Sequence, residues 1–140
     1  MNKRAIFEAL CKATGPDEVL DHHLLCLHLG YDRIEVYQGE IAEIYYGYKN
    51  GVRTEIQYSE MLQVTKYATD AMILIPEYYR KGPGEWYCGE KRGRPICCIG
   101  PGGAMHTVQA STLPLAICLA YVHHLIQKEQ ADVERSKQQA

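Results

Sequence analysis

The sequence predicts an α+β domain, and three features point there. Apolar residues recur at helical spacing over residues 2–29 and again from Leu113 onward, whereas between these stretches the period falls to two. Within the period-two region, Lys49-Asn50-Gly51-Val52 carries the dipeptide of a tight antiparallel hairpin. The expectation is a small antiparallel sheet preceded by a helical hairpin and followed by one long helix.

Residues Asn2 to Ala13 read as a first helix with Ile6, Ala9, Leu10 and Ala13 on one stripe; Thr14-Gly15-Pro16 ends it, with Gly as cap and Pro unable to continue. Asp17 opens a second helix through Leu29, with Val19, Leu20, His23, Leu24, Leu27 and His28 near one face and Gly30 as its stop. From Arg33, the residues Ile34, Val36, Ile41, Ile44, Tyr46 and Tyr48 alternate with polar neighbours as half-buried strands do. Asn50-Gly51 then joins strands at about Glu43–Tyr48 and Val52–Tyr58. A further helix is expected within Ser59 to Leu74, capped by Ser59 or Thr69 and ending before Ile75-Pro76. Lys81-Gly82-Pro83-Gly84 is a loop by composition. Strands at about Glu85–Glu90 and Arg94–Gly100, joined at Lys91-Arg92-Gly93, lead through Gly100-Pro101-Gly102-Gly103 to a short strand at about Met105–Ala110. Ser111 or Thr112 caps the last helix, with Pro114 in the first turn, where a missing amide hydrogen costs nothing. Its stripe of Leu113, Ala116, Ile117, Leu119, Ala120, Val122 and Ile126 is broad enough to be held between a sheet and a partner. Residues 1–127 therefore form a single domain, and 128–140 a polar helical extension or a tail.

A chain of 140 residues buries roughly two-thirds of the surface its unfolded form exposes, so a core is attainable without staples. The 46% apolar and 23% charged fractions exclude disorder over most of the chain. A net charge of −2 offers no field for nucleic acid backbones, which excludes a non-specific DNA binder. No apolar run nears the length of about eighteen residues that a membrane helix needs, and the N-terminus does not read as a signal peptide, so a cytoplasmic protein is expected. Of the six cysteines, Cys11, Cys26, Cys97 or Cys98, and Cys118 sit in apolar patterns and are expected to be buried thiols. Adjacent Cys97 and Cys98 point to opposite faces of a strand and form no redox dithiol with each other. Eleven Tyr against one Phe and one Trp point to many half-wet surfaces.

Ala13-Thr-Gly-Pro-Asp-Glu-Val-Leu-Asp21, Leu29-Gly30-Tyr31, Tyr67-Ala-Thr-Asp-Ala-Met-Ile-Leu-Ile-Pro76, Trp86 and Ala110-Ser-Thr-Leu-Pro-Leu-Ala-Ile-Cys118 together resemble the phage ABA-sandwich family of small tailed-phage and prophage proteins. The resemblance implies an α/β/α sandwich, a layered domain with helices on both faces of the sheet, and no established activity for most members. Thr112 and Pro114 match the helix start in looser form, with Leu113 between them, and the Tyr-rich hairpin of residues 33–58 is longer than the family leads one to expect.

No catalytic signature is present: there is no Gly-x-Ser-x-Gly elbow, His-Glu-x-x-His or Walker loop, and Cys118 with His106 or His124 is a poor nucleophile pair because Cys118 lies in an apolar helical stripe. His22 and Cys26 share a helix face at a spacing compatible with zinc, but further ligands would have to come from His106, His123 or His124. We expect neither a metal nor another cofactor. Gly100-Pro101-Gly102-Gly103 reads as a turn in preference to a phosphate cradle, because a strand separates it from the helix. The informative set is Tyr45, Tyr46, Tyr48 and Arg53 on the hairpin, with Tyr78, Tyr79, Arg80, Lys81, Trp86, Arg92 and Arg94 around the later loops. Aromatic rings stack bases and guanidinium groups grip phosphate, but Tyr, Trp and Arg are equally the residues of protein interfaces. The first expectation is a non-catalytic phage accessory protein that sequesters a nucleotide-type host immune signal, such as a cyclic or modified nucleotide, as a homo-oligomer. The alternative is a protein–protein interaction module, either a virion accessory component or an inhibitor docking on a host protein.

Overall fold

The computed structural model describes residues 1–80, 85–100 and 107–139, and it is α+β with a helical hairpin at one end and a long helix at the other. Helices α1 (Lys3–Lys12) and α2 (Glu18–Leu29) are both capped by the side chain before them: Asn2 accepts from the Ala5 amide at 2.8 Å and Asp17 from the Leu20 amide at 3.0 Å. Gly30 stops α2 in the left-handed conformation, φ 81°, its amide donating to the Cys26 carbonyl. Gly15 has no such role at the end of α1; Ala13 is already extended there, its amide turned back onto the Leu10 carbonyl. The buried stripe of α2 is also rotated from the expected one, for Leu20, Asp21, Leu24 and Leu25 face the core while Val19 is 62% exposed.

The strands divide between two antiparallel three-stranded sheets. The first contains β1 (Arg33–Gln38), β2 (Glu43–Lys49) and β3 (Val52–Ile56); the second contains β4 (Trp86–Lys91), β5 (Arg94–Ile99) and β6 (Val108–Gln109). Each is built on a two-residue turn with positive φ at both positions, Asn50-Gly51 (52° and 78°) and Arg92-Gly93 (55° and 78°). Ile41, expected in an alternating strand, lies instead in the β1–β2 connection and is fully exposed. Residues 57–85 separate the sheets. There the expected helix is broken into a 3-10 turn at Tyr58–Glu60, a short α3 (Ala68–Ala71) and a second 3-10 turn at Met72–Leu74, and neither Ser59 nor Thr69 caps a helix. The cause is long-range: Val64 and Thr65 are buried, and the backbone and hydroxyl of Thr65 are bonded to Asp17 and Asp21 of the α2 start, so this stretch follows α2 and not its own propensity. After Pro76 comes one turn of helix, α4 (Glu77–Arg80).

Helix α5 (Leu113–Gln139) opens with Thr112 Oγ1 accepting from the Leu115 amide at 3.4 Å. Every residue from Leu115 to Val122 is buried, more than the one-sided stripe read from the sequence, because α1, α3, β5 and β6 all pack on this segment. Leu113, placed on that stripe, is 37% exposed. From Lys128 the helix continues to Gln139 with its residues exposed. Among the described residues no helix is long and apolar enough to cross a membrane. Gly82-Pro83-Gly84 and Lys81, Pro101-Gly102-Gly103, the expected strand start at Met105, and His106 lie outside the described residues.

Candidate functional site

Side chains alternate across a strand, and the observed register sorts the Tyr-rich hairpin into two faces. Tyr46 stands opposite Glu35 and Glu55, Tyr48 opposite Arg33 and Arg53, and Ile44 opposite Tyr37, so these eight residues share one face. Tyr45 points the other way, toward α2, where its ring meets His22 edge-on at 6.5 Å. On that inner side Gly47 lies under the Tyr31 ring; a β-carbon there would sit 2.6 Å from ring carbons, so only glycine lets Tyr31 close over the sheet.

The outer face is a pre-ordered lattice. Arg33 lies over the Tyr48 ring at 4.1 Å and Arg53 over the Tyr46 ring at 4.5 Å, while Tyr37 meets Tyr46 edge-on at 5.4 Å. Glu35 joins them, accepting from the hydroxyls of Tyr37 (2.7 Å) and Tyr48 (3.0 Å) and from Arg33 Nε (3.1 Å). The two tyrosine hydrogen bonds hold the Glu35 carboxyl below the ordinary range, and the bond to Glu35 pushes the Tyr37 hydroxyl up. Two arginines and two glutamates leave this face without net charge. Arg33, Glu35 and Tyr37 were not singled out from the sequence. They become legible only once the β1–β2 register is known.

The remaining residues of the set lie elsewhere. Tyr45 lines a cavity of about 440 Å³ with His22, Tyr58, Gln63 and Lys66, and its bond to Glu43 pushes its hydroxyl up to about 12. Tyr78 and Tyr79 line another, of about 670 Å³, with Pro76, His124 and Lys128; the Tyr79 ring meets Tyr78 and His124 edge-on, each at 5.2 Å. Burial, reinforced by Lys128 and His123, lowers the pKa of His124. Arg80 points inward, its Nε buried without a hydrogen-bond partner among the described residues and the Glu77 carboxylate 4.0 Å from its guanidinium. Trp86 packs against the hydrophobic core and is in that measure structural. Arg92 and Arg94 stand exposed with Lys91 at the β4–β5 turn, engaged in none of the ion pairs among the described residues. No hydrogen bond, ion pair or ring contact among the described residues joins Tyr46, Tyr48 and Arg53 to Tyr78, Tyr79, Arg80, Trp86, Arg92 or Arg94.

Cysteine burial follows the expectation in part. Cys97, Cys98 and Cys118 are buried and Cys26 is half-buried, but Cys11 is exposed, one position around α1 from buried Leu10. The Cys118 thiol donates to the Val64 carbonyl at 3.3 Å, and burial raises its pKa, the condition of a core thiol and not of a nucleophile. Around His22 and Cys26, as elsewhere among the described residues, no three His, Cys, Asp or Glu side chains converge on a position that could hold a metal ion. Compared with protein-family models, with curated proteins and with solved structures, the chain matches none.

Proposed function

We propose that this chain is a non-catalytic interaction module that docks on a partner protein through the outer face of its first sheet. The observation that carries the reading is the lattice of Tyr37, Tyr46 and Tyr48 with Arg33, Arg53 and Glu35, in which Arg33 pairs with Glu35, Arg53 stacks on Tyr46, and Glu55 on the same face brings the net charge to zero. A phosphate ligand calls for unbalanced positive charge. A protein partner instead calls for rigid aromatic area that costs little entropy to bury, with Arg planes stacked upon it. Tyr37 is 45% exposed and Ile41, at the neighbouring turn, is fully exposed, so apolar surface is available for burial. The resemblance to small phage proteins supplies the setting, in which the partner is a host or virion protein. With a purified partner in hand, Tyr46→Ala should weaken binding at least tenfold while Tyr78→Ala leaves it unchanged. Equal affinities for wild type and Tyr46→Ala would refute the assignment of this face.

A second reading, sequestration of a cyclic or modified nucleotide by a homo-oligomer, is favoured by one feature: the cavity walled by Tyr78, Tyr79 and His124, with Lys128 and Glu134 at its side, has stacking surfaces and a cation, though a carboxylate stands beside it. A ligand present at about a hundred times its Kd adds roughly 2.7 kcal/mol of stability. A melting screen against linear and cyclic nucleotides therefore tests it, and a shift abolished by Tyr79→Ala, with the nucleotide recovered intact, would make this the leading function.

A further inference from the structure

We propose that Cys88 and Cys97 are a thiol–disulfide couple, a modification site that pins edge strand β4 to central strand β5. The two residues face each other across the ladder, and their sulfurs are in contact at 3.1 Å. Register explains why. In a two-residue hairpin the residues flanking the turn, here Lys91 and Arg94, exchange backbone hydrogen bonds, and pairs then alternate outward between bonded and non-bonded. Glu90 with Pro95 is a non-bonded pair, Gly89 with Ile96 a bonded one, and Cys88 with Cys97 again non-bonded. Pro95, which has no amide hydrogen, thus stands where β4 requires no donor from it. Non-bonded pairs bring Cα atoms to about 4.5 Å, within the span of a disulfide.

The two thiols are also graded in access: Cys88 is half-buried, and Cys97 is completely buried behind it. Contact between the sulfurs lowers the pKa of Cys88 and raises that of Cys97, so Cys88 ionises first and is the one that solvent reaches. The oxidant is a small-molecule disulfide. The Cys88 thiolate attacks one of its sulfurs, breaking that S–S bond, releasing one thiolate and leaving a mixed disulfide on Cys88. Cys97 then gives its proton to the departing thiolate and attacks the Cys88 sulfur, displacing the second half of the oxidant. Two protein thiols become one disulfide, and one small disulfide becomes two thiols.

The test incubates the full chain with glutathione buffers of increasing oxidised fraction, blocks remaining thiols with an alkylating agent, and maps the peptides by mass. We expect the thiols of Cys88 and Cys97 to disappear together, whatever glutathione adduct the exposed Cys11 takes, with one cross-linked species joining Cys88 to Cys97, reversal by excess reduced glutathione, and a melting temperature several degrees higher in the oxidised form. Cys97→Ser should stop at a glutathione adduct on Cys88. Should that variant fail to fold, the wild-type peptide map decides alone. Cys88 and Cys97 both still alkylatable after full oxidation, or a link joining any other pair, would overturn the proposal.

Discussion

Replacing Thr65 by Val tests what holds residues 61–67 against α2. The two side chains have nearly the same shape, so no cavity opens, but the hydroxyl is lost. Thr65 Oγ1 accepts from the Asp17 amide at 2.8 Å and donates to Asp21 Oδ1 at 2.7 Å, and its own amide donates to the same oxygen at 2.7 Å. Losing the bond to a carboxylate costs about 1.5–3 kcal/mol and the bond from the amide about 1 kcal/mol, against a gain of about 0.8 kcal/mol for one more buried methyl group. The net is a loss of about 2–3 kcal/mol, or about 8 °C in Tm for a domain of this size. Thr65→Ser, which keeps all three bonds and loses only a methyl group, should cost about 1 kcal/mol. A second signature lies in the pH dependence. Burial raises the Asp21 pKa while the two Thr65 bonds pull it down, so removing the hydroxyl lets it rise further. A carboxyl raised on folding contributes stability that is full below its unfolded pKa of about 4 and is lost as pH rises through the folded value. The cost of Thr65→Val should therefore be larger at pH 7 than at pH 4. Urea unfolding at the two pH values measures both effects; a cost under about 1 kcal/mol at pH 7, or one larger at pH 4, would refute the reasoning.

Gly47→Ala should destabilise by about 1–3 kcal/mol, because its new methyl group collides with the Tyr31 ring. Combining it with Tyr31→Ala should cost clearly less than the two single costs added, which a double-mutant cycle by thermal melting checks. His23 and His124 are held below their ordinary pKa chiefly by burial, so the unfolded chain binds more protons and stability should rise with pH through about 6.5. His124→Gln should flatten that rise in melts taken between pH 5.5 and 7.5. Ending the chain after Gln127 removes exposed helix and two surface ion pairs, Lys3 to Glu129 at 3.2 Å and Arg135 to Asp132 at 3.6 Å, and should move Tm by no more than about 2 °C in calorimetry.

Features settled by a few neighbouring residues were the ones readable in advance. Asp17 as cap, Gly30 as stop and Asn50-Gly51 as turn each depend on local backbone angles, and all three hold. Of residues 57–80, a helix within Ser59 to Leu74 that ends before Ile75-Pro76 was readable, but its start and the course of 57–67 were not, because these are decided by Thr65 reaching Asp17 and Asp21, more than forty positions away in sequence. The same divide runs through the candidate site. Tyr46, Tyr48 and Arg53 follow from period two and a two-residue turn, which also send Tyr45 to the opposite face although its position beside them suggested one cluster. Arg33, Glu35 and Tyr37 depend on the register across residues 39–42, a connection that carries no such turn signature.

Cys88 and Cys97 show how far a turn can carry an inference once it is placed. They are equidistant from Arg92-Gly93, so any two-residue turn there makes them partners, and the parity of their distance makes the pair non-bonded and close. Counting cysteines or scanning for short motifs does not find them, since nine positions separate the two and Cys98 stands nearer in sequence to Cys97 than its true partner does. Yet Cys98 faces away on the same strand and is as deeply buried as Cys97, so adjacency in the chain carries no chemistry there. The reactive pair is instead the one that combines contact with unequal access, because oxidation needs one sulfur that solvent reaches and a second already positioned to resolve it.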